Sequence, residues 1–209
     1  MTMTDSPATA AGTTTTRIAV ITGSIRQDRF GPTVTAWMRE RARRTEEVEV
    51  DEIDLAAIDL PVVLAGDDPT VEPPPEVSRL AERLTAADAF VIVTPVYNRS
   101  CPASLKNAID WFYSPWQLKP VGIVSYGGAT GGREAAEALR GIFAEFDAVT
   151  LADPVTFPDV WELFDEAGSP LEAEAYTRRA GRLLAQLCWW SRALREAHAR
   201  RPFPHGGAL

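Results

Sequence analysis

The amino-acid sequence predicts an α/β fold in which a parallel sheet carries helices on both faces. Segments with strand character alternate with helical segments along the chain, five of each. Three of the strand segments are continuously apolar, which indicates that other parts of the protein cover both of their faces. Polar and glycine-rich loops follow these three segments directly.

The five predicted strands are short segments bounded by turn residues. They lie at 17–23 (RIAVITG), 48–54 (VEVDEID), 88–95 (DAFVIVTP), 119–128 (KPVGIVSYGG) and 148–157 (AVTLADPVTF). The first, third and fourth are the apolar runs that predict buried strands. The second alternates apolar and acidic residues, and the last contains Pro154, which predicts a bend.

Helical spacing of apolar residues predicts the five intervening helices. They lie at 31–44, 75–87, 102–113, 131–146 and 171–199. In the first, Val34, Trp37 and Met38 recur at helical spacing among arginines. Pro75 starts the second, where its missing N–H costs little, and five prolines between 55 and 75 exclude a long helix before it.

Length and composition predict one domain over residues 17–199. The chain has 209 residues, with a disordered tail predicted over 1–16 and a C-terminal tail over 200–209. A net charge of −8 argues against nonspecific nucleic-acid binding. No apolar run reaches the ~18 residues of a membrane span and no secretory signal is seen, so a cytoplasmic protein is expected. Cys101 and Cys188 form no CxxC, so neither a disulfide scaffold nor a metal site is expected.

Three loops that follow parallel strands are predicted to converge at one edge of the sheet. They are GSIRQDRFGP (23–32), TPVYNRSCPASLKNAIDW (94–111) and SYGGATGGRE (125–134), here the first, second and third loop. Ligands of such sheets bind outside the carboxyl ends of the strands. The chemistry is therefore expected at this edge.

The first loop has the residue types of a phosphate-binding loop. Gly23 permits a tight turn, Ser24 offers a hydroxyl and Arg26 a planar guanidinium, and a helix start follows. Arg29 is a further positive charge. The alternative is an ordinary turn with solvated arginines, since neither GxxxxGK[ST] nor GxGxxG is present. Asp54 is interpreted as a cap or surface residue.

The second and third loops bring an aromatic ring and two glycine pairs to the same edge. Tyr97 supplies the ring, and Asn98 tolerates strained backbone angles. Gly127–Gly128 and Gly131–Gly132 let backbone N–H groups approach a flat ligand. A branched side chain at Gly128 is expected to fill ligand space and to resist a positive φ there. The alternatives are an aromatic ring packed on its own loop and glycine turns that cap a helix.

In order and spacing, GSIR (23–26) and the second and third loops resemble the NADPH-dependent FMN reductase family over about residues 17–150. The resemblance implies a flavodoxin-like three-layer sandwich with a five-stranded parallel sheet in the order 2-1-3-4-5. Two residues depart from the family pattern beside the flavin loop. Val96 stands where glutamate is usual, and Ala103 stands where glycine is usual.

The resemblance also implies an FMN site. Ser24 and Arg26 would hold the phosphate, the second loop would line the isoalloxazine and ribityl chain, and the third would border the pyrimidine end. The residues concerned are Ser24, Arg26, Pro95, Val96, Tyr97, Asn98, Ser125, Tyr126, Gly127 and Gly128. No catalytic side chain is implied, because the flavin carries the chemistry.

The implied activity is an NAD(P)H-dependent oxidoreductase. Hydride would pass from the nicotinamide of NADPH or NADH to flavin N5, and electrons would then pass to free flavin, a quinone or another small acceptor. A homodimer or homotetramer is implied, with a flavin-dependent monooxygenase as a candidate partner. The alternative is a noncatalytic flavodoxin-like electron carrier or flavin-binding module.

Two further features are left open by the sequence. Arg99 and Arg133 are near the predicted edge, where they either meet the 2′-phosphate of NADPH or are solvated. Trp189 and Trp190 are adjacent on a helix, so one is expected to face the core and the other a partner subunit. Trp111 is interpreted as a packing residue.

Overall fold

A central parallel sheet organises the molecule, and its strand order is β2-β1-β3-β4-β5. The computed structural model describes residues 15–64 and 72–204. The strands are β1 (Thr16–Thr22), β2 (Val48–Asp54), β3 (Ala89–Pro95), β4 (Pro120–Tyr126), β5 (Val149–Thr150) and β6 (Val155–Phe157). The predicted parallel sheet in the order 2-1-3-4-5 is confirmed.

Helices cover both faces of the sheet. They are α1 (Gly31–Arg43), α2 (Pro75–Ala86), α3 (Ala103–Asp110), α4 (Arg133–Ala144), α5 (Val160–Leu163) and α6 (Ala173–Arg200), with 3-10 turns at Leu55–Ala57 and Ser114–Trp116. One core layer lies between the sheet and α2, α3 and α4. The other lies between the sheet and α1, α5 and α6. The three-layer architecture follows from these two cores.

Strand β3 shows why the apolar runs are buried on both sides. Phe90 and Ile92 point into the first core layer, whereas Val91 and Val93 point into the second. All seven residues of β3 are buried. A strand in this position has no solvent face, so the sequence shows no polar alternation.

The predicted last strand is interrupted rather than bent. β5 and β6 both pair with β4, and Leu151 still donates its N–H to the Val121 carbonyl at 2.9 Å, but residues 152–154 are not paired with β4. Arg140 of α4 donates to the carbonyl oxygens of Leu151 and Ala152, both at 2.6 Å. Pro154 has no N–H to give to the ladder, so the guanidinium and the proline together account for the interruption.

The ends of several elements differ from prediction. Thr16, predicted in the tail, is the first residue of β1, and its N–H donates to the Glu47 carbonyl at 2.7 Å. The third predicted helix ends at Asp110 instead of 113. Arg200, assigned to the C-terminal tail, is the last residue of α6. Residues 1–14, 65–71 and 205–209 lie outside the described residues.

No described helix is both long and apolar enough to cross a membrane. No group of three or more His, Cys, Asp or Glu residues in the described ranges could hold a metal ion.

Candidate functional site

Direct contacts join the three loops at the carboxyl ends of β1, β3 and β4. The Ser24 Oγ and the Tyr97 hydroxyl are 2.8 Å apart, which links the first loop to the second. A Cβ added at Gly127 would stand 3.1 Å from a Val96 methyl group, so the third loop touches the second. The convergence predicted from parallel strand ends is thus present.

The first loop leaves β1 under tight packing constraints. The Gly23 N–H donates to the Val93 carbonyl at 2.9 Å, and a Cβ at Gly23 would approach Leu105 to 3.0 Å. Ser104 of α3 donates its hydroxyl to the Gly23 carbonyl at 2.6 Å. Glycine is therefore needed here for close approach, and the turn is fixed from both sides.

Ser24 and Arg26 differ sharply in exposure. Ser24 is fully buried, and its Oγ also accepts the Arg26 N–H at 3.4 Å. The Arg26 side chain is exposed and forms no ion pair with a described carboxylate. Helix α1 begins nearby, and no described side chain caps its N-terminus. The loop therefore offers a free guanidinium next to an uncapped helix start.

Arg29 ties the first loop to β2. Its Nη2 lies 2.5 Å from Asp54 Oδ2, and both side chains are partly buried. The other Asp54 oxygen accepts the Ala56 N–H at 3.1 Å, so Asp54 caps the following 3-10 turn, as predicted. The Arg29 charge is therefore already paired, and Arg26 is the free cation of this loop.

The second loop contains a tight turn with two left-handed residues. Tyr97 and Ser100 exchange both backbone hydrogen bonds, at 2.8 and 3.0 Å. Asn98 has φ 49° and Arg99 has φ 68°, the signs of a type I′ turn. The expectation of a strained backbone at Asn98 is confirmed. Asparagine adopts this conformation readily, whereas arginine does so rarely.

Two side chains at the end of the second loop form hydrogen bonds with the backbone at Pro61. Asn107 Nδ2 and Trp111 Nε1 both donate to the Pro61 carbonyl, at 3.1 and 2.9 Å. Trp111 packs against the first core layer, as predicted, and its indole N–H is in addition a specific donor. This hydrogen bond could not be predicted, because its acceptor is a backbone carbonyl 50 positions away and side-chain identities do not reveal backbone acceptors.

In the third loop, the backbone conformation requires glycine at the second pair, Gly131–Gly132. Gly131 and Gly132 have φ 61° and 77°. A Cβ would stand 2.8 Å from the Pro158 nitrogen at the first and 2.8 Å from the Tyr126 carbonyl oxygen at the second. Gly128 has no positive φ, so that expectation was wrong. A Cβ there would have only Asp159 Oδ1 near it, at 4.0 Å.

The side chains of Ser125 and Tyr126 point into the protein. Ser125 is fully buried, and its Oγ has no hydrogen-bond partner in the described residues. Tyr126 is 4% exposed, and a Cβ at Gly31 would stand 2.9 Å from its hydroxyl. Burial raises the pKa of the Tyr126 phenol well above its usual value, and the neighbouring Tyr97 adds to the rise. Both residues can therefore meet a ligand at this edge only through backbone atoms.

A cavity of about 650 Å³ adjoins the second and third loops. Its lining includes Arg99, Thr130, Arg133, Glu134 and Glu137. Thr130 Oγ1 donates to Glu134 Oε2 at 2.7 Å, and this hydrogen bond is the main reason that the pKa of Glu134 is below its usual range. The two arginines contribute smaller effects in the same direction.

Comparisons with known proteins agree on one family. The family model for NADPH-dependent FMN reductases matches residues 16–162. An NAD(P)H-dependent FMN reductase of Schizosaccharomyces pombe is 38% identical over 130 residues, which are 59% of this chain and 64% of that relative. A quinone reductase of Pseudomonas putida is 35% identical over 159 residues, 72% of this chain and 82% of the relative. The chain thus spans slightly less than two thirds of the S. pombe protein.

Solved structures show the same fold. The flavoenzyme FerB, an NAD(P)H:acceptor oxidoreductase from Paracoccus denitrificans, superimposes with a TM-score of 0.69 and 24% identity, over 85% of this chain and 98% of FerB. RosB, solved with a riboflavin 5′-phosphate derivative bound, has a TM-score of 0.64 and 13% identity, over 93% of this chain and 90% of RosB. At these identities the likeness is one of fold.

Proposed function

The chain belongs to the NADPH-dependent FMN reductase family, and from this premise we propose that it is an NAD(P)H-dependent oxidoreductase that uses FMN to reduce a free flavin, a quinone or another small acceptor. The observation that carries the proposal is the joining of the first and second loops by the Ser24–Tyr97 hydrogen bond. This contact supports one ligand site built from loops that are far apart in sequence.

The residues at this edge fit FMN. An anionic phosphate needs donors with a positive field, and the first loop offers the unpaired Arg26 guanidinium beside the uncapped start of α1. A flat ring needs space next to backbone, and Gly128 has open space around its Cβ position. The overall charge of −8 repels a phosphate, so these local donors matter more.

We assign the ligand contacts as follows. Ser24 and Arg26 hold the phosphate, and the Tyr97 hydroxyl orients the Ser24 hydroxyl toward it. The segment of Pro95, Val96, Tyr97 and Asn98 lines the ring system and ribityl chain. Ser125, Tyr126, Gly127 and Gly128 border the pyrimidine end, the first two through their backbone. Bound FMN supplies the two-electron chemistry between nicotinamide and acceptor.

The oligomeric state and location are part of the same proposal. We propose a homodimer or homotetramer, because Trp189 is 62% exposed beside Trp190, which packs on the core as the sequence predicts for one member of the pair. Cys101 and Cys188 are both free and buried, which suits a reducing cytoplasm. A flavin-dependent monooxygenase is a candidate partner to receive reduced flavin.

Stopped-flow spectroscopy of the FMN-loaded protein tests the function. We expect NADPH or NADH to bleach the flavin absorbance rapidly, and we expect a quinone or free FMN to restore it with multiple turnovers. A noncatalytic electron carrier would bind FMN but be reduced only slowly by either nucleotide. Failure to bind FMN at micromolar concentration would contradict the assignment of the site itself.

A further inference from the structure

Arg99 and Arg133 line the same cavity of about 650 Å³, although they come from different loops. Arg99 lies in the turn after β3, and Arg133 is the first residue of α4. Neither forms an ion pair with a carboxylate in the ranges that the structure describes. Many arginines elsewhere do, as in the pairs Arg29–Asp54 and Arg83–Asp51, although Arg26 does not. The cavity therefore presents two guanidinium groups with unused donors.

The acidic residues of the cavity already have nearer partners. Glu134 accepts the Thr130 hydroxyl at 2.7 Å, and Glu137 pairs with Arg140 at 3.3 Å. Glu134 also feels the charges of both cavity arginines, but at a longer range than an ion pair. One carboxylate shared at that range does not satisfy two guanidinium groups, so a further anion can be bound.

The backbone at Arg99 supports a role for its side chain. Its φ of 68° is in the left-handed region, which glycine and asparagine adopt more easily than arginine. The type I′ turn sets the sign of φ here, as it does at Asn98, but glycine or asparagine would meet this requirement at lower cost, so the choice of arginine needs another reason. Arg99 is exposed, so packing does not explain it.

We propose that Arg99 and Arg133 bind the 2′-phosphate of NADPH and make the enzyme select NADPH over NADH. This inference rests on the proposed function and deepens it. A 2′-phosphate is a compact dianion that suits planar guanidinium donors, whereas the 2′-hydroxyl of NADH is neutral. The cavity lining includes Ala129 and Thr130, which follow the Gly127–Gly128 pair in sequence, so the cavity adjoins the loop proposed to border the flavin ring.

Steady-state kinetics with both nucleotides test the proposal in three variants. Arg99→Gly and Arg133→Ala should each lower kcat/KM for NADPH by about ten- to a hundredfold and leave kcat/KM for NADH unchanged. Arg43→Ala, which removes an exposed charge at the far end of α1, should leave the preference intact. Equal losses with both nucleotides, or no loss with either, would overturn the proposal.

The Arg99→Gly variant also separates function from folding. Glycine relieves the left-handed strain, so we expect its Tm to be held or raised by up to about 4 °C while the NADPH preference falls. A fall in Tm together with equal kinetic losses would show instead that Arg99 is structural.

A binding measurement decides the question without turnover. Calorimetry should show that the protein binds adenosine 2′,5′-bisphosphate at least tenfold more tightly than adenosine 5′-monophosphate, and that either arginine variant loses this difference. FMN affinity, measured separately, should not change. Equal binding of the two fragments by the parent protein would refute the phosphate site, whereas loss of all NAD(P)H turnover would refute the proposed function alone.

Discussion

The hydroxyl oxygens of Ser24 and Tyr97 lie 2.8 Å apart across 73 positions of sequence. Ser24 is fully buried and ends the turn after β1, whereas Tyr97 is only half-buried and begins the tight turn after β3. The contact sets the spacing of two loops that have no ladder hydrogen bonds between them. The consequences of this arrangement for stability and for ligand binding can be measured separately.

Removal of the Tyr97 hydroxyl is expected to destabilise the fold. Tyr97→Phe leaves the buried Ser24 hydroxyl only the long hydrogen bond from the Arg26 N–H, which costs about 1–3 kcal/mol. Ser24→Ala in addition should restore part of the loss, because no unpaired hydroxyl is then buried. Urea unfolding of the two single variants and the double variant gives the coupling between them. Tyr113→Phe, at an exposed hydroxyl that donates to the Glu145 carbonyl, is the control and should cost little.

Arg26 is expected to distinguish FMN from riboflavin. FMN ends in a phosphate near −2, and riboflavin ends in a neutral hydroxyl. A charge-assisted hydrogen bond contributes roughly 1.5–3 kcal/mol, so Arg26→Ala should weaken FMN by about ten- to a hundredfold and leave riboflavin almost unchanged. Fluorescence titration of the apo-protein measures both. An equal loss for the two ligands would show that the first loop does not contact the phosphate.

The two glycine pairs of the third loop should respond differently to substitution. Gly132→Ala meets a positive φ and a Tyr126 carbonyl oxygen 2.8 Å from the new Cβ, so unfolding should become easier by more than about 1 kcal/mol. Gly128→Val should fold normally, because the space there is open, and should lose FMN because the branched side chain fills the ring site. Thermal unfolding and FMN titration separate the two effects. A yellow, active Gly128→Val protein would move the ring away from this loop.

Lys119 is expected to make stability rise with pH above about 8. Its Nζ donates to the Leu84 and Thr85 carbonyls at the end of α2. Burial lowers its pKa to about 8, partly opposed by Asp88. Between pH 8 and about 10.5 the unfolded chain binds this proton and the folded protein does not, so stability increases with pH over that window. The gain is on the order of 1–2 kcal/mol, since the group is only partly buried.

The comparison with Lys119→Met isolates this effect. Burial raises the pKa of both cysteines, which makes the parent protein lose stability as pH rises past 9 and masks the lysine. The difference in unfolding free energy between parent and variant cancels the cysteine contribution, and this difference should grow from pH 8 to pH 10. A flat difference would mean that the two carbonyl oxygens hold the proton on Lys119 throughout.

Much of the fold could be predicted because strands that are buried on both faces are continuously apolar in sequence. The apolar runs at β1, β3 and β4 fixed the centre of the sheet, and strand ends then fixed which loops meet. The interruption between β5 and β6 could not be predicted, because it depends on where the Arg140 side chain ends. The start of β1 at Thr16 depends on an acceptor at Glu47, which the tail composition does not reveal.

The residue types predicted which loops form the site, but not which glycines have a positive φ or where the side chains point. Glycines and an asparagine mark the turns, but their order does not say which glycine takes a positive φ. Gly131 and Gly132 do so, at positions where the Phe157–Pro158 backbone and the end of β4 lie too close for a Cβ. Likewise, Ser125 and Tyr126 stand at the right loop, yet pleating turns their side chains toward the core.

The broken last strand also protects the sheet from uncontrolled extension. An open edge of unpaired N–H and C=O groups is a template for aggregation with another chain. At one margin of this sheet, β5 and β6 present two and three residues, and Arg140 occupies carbonyl oxygens between them. At the opposite margin, β2 carries Glu49, which is exposed and forms no ion pair with a described residue, so its charge disfavours an incoming strand. Both margins of the sheet are therefore poor templates for strand pairing with another chain.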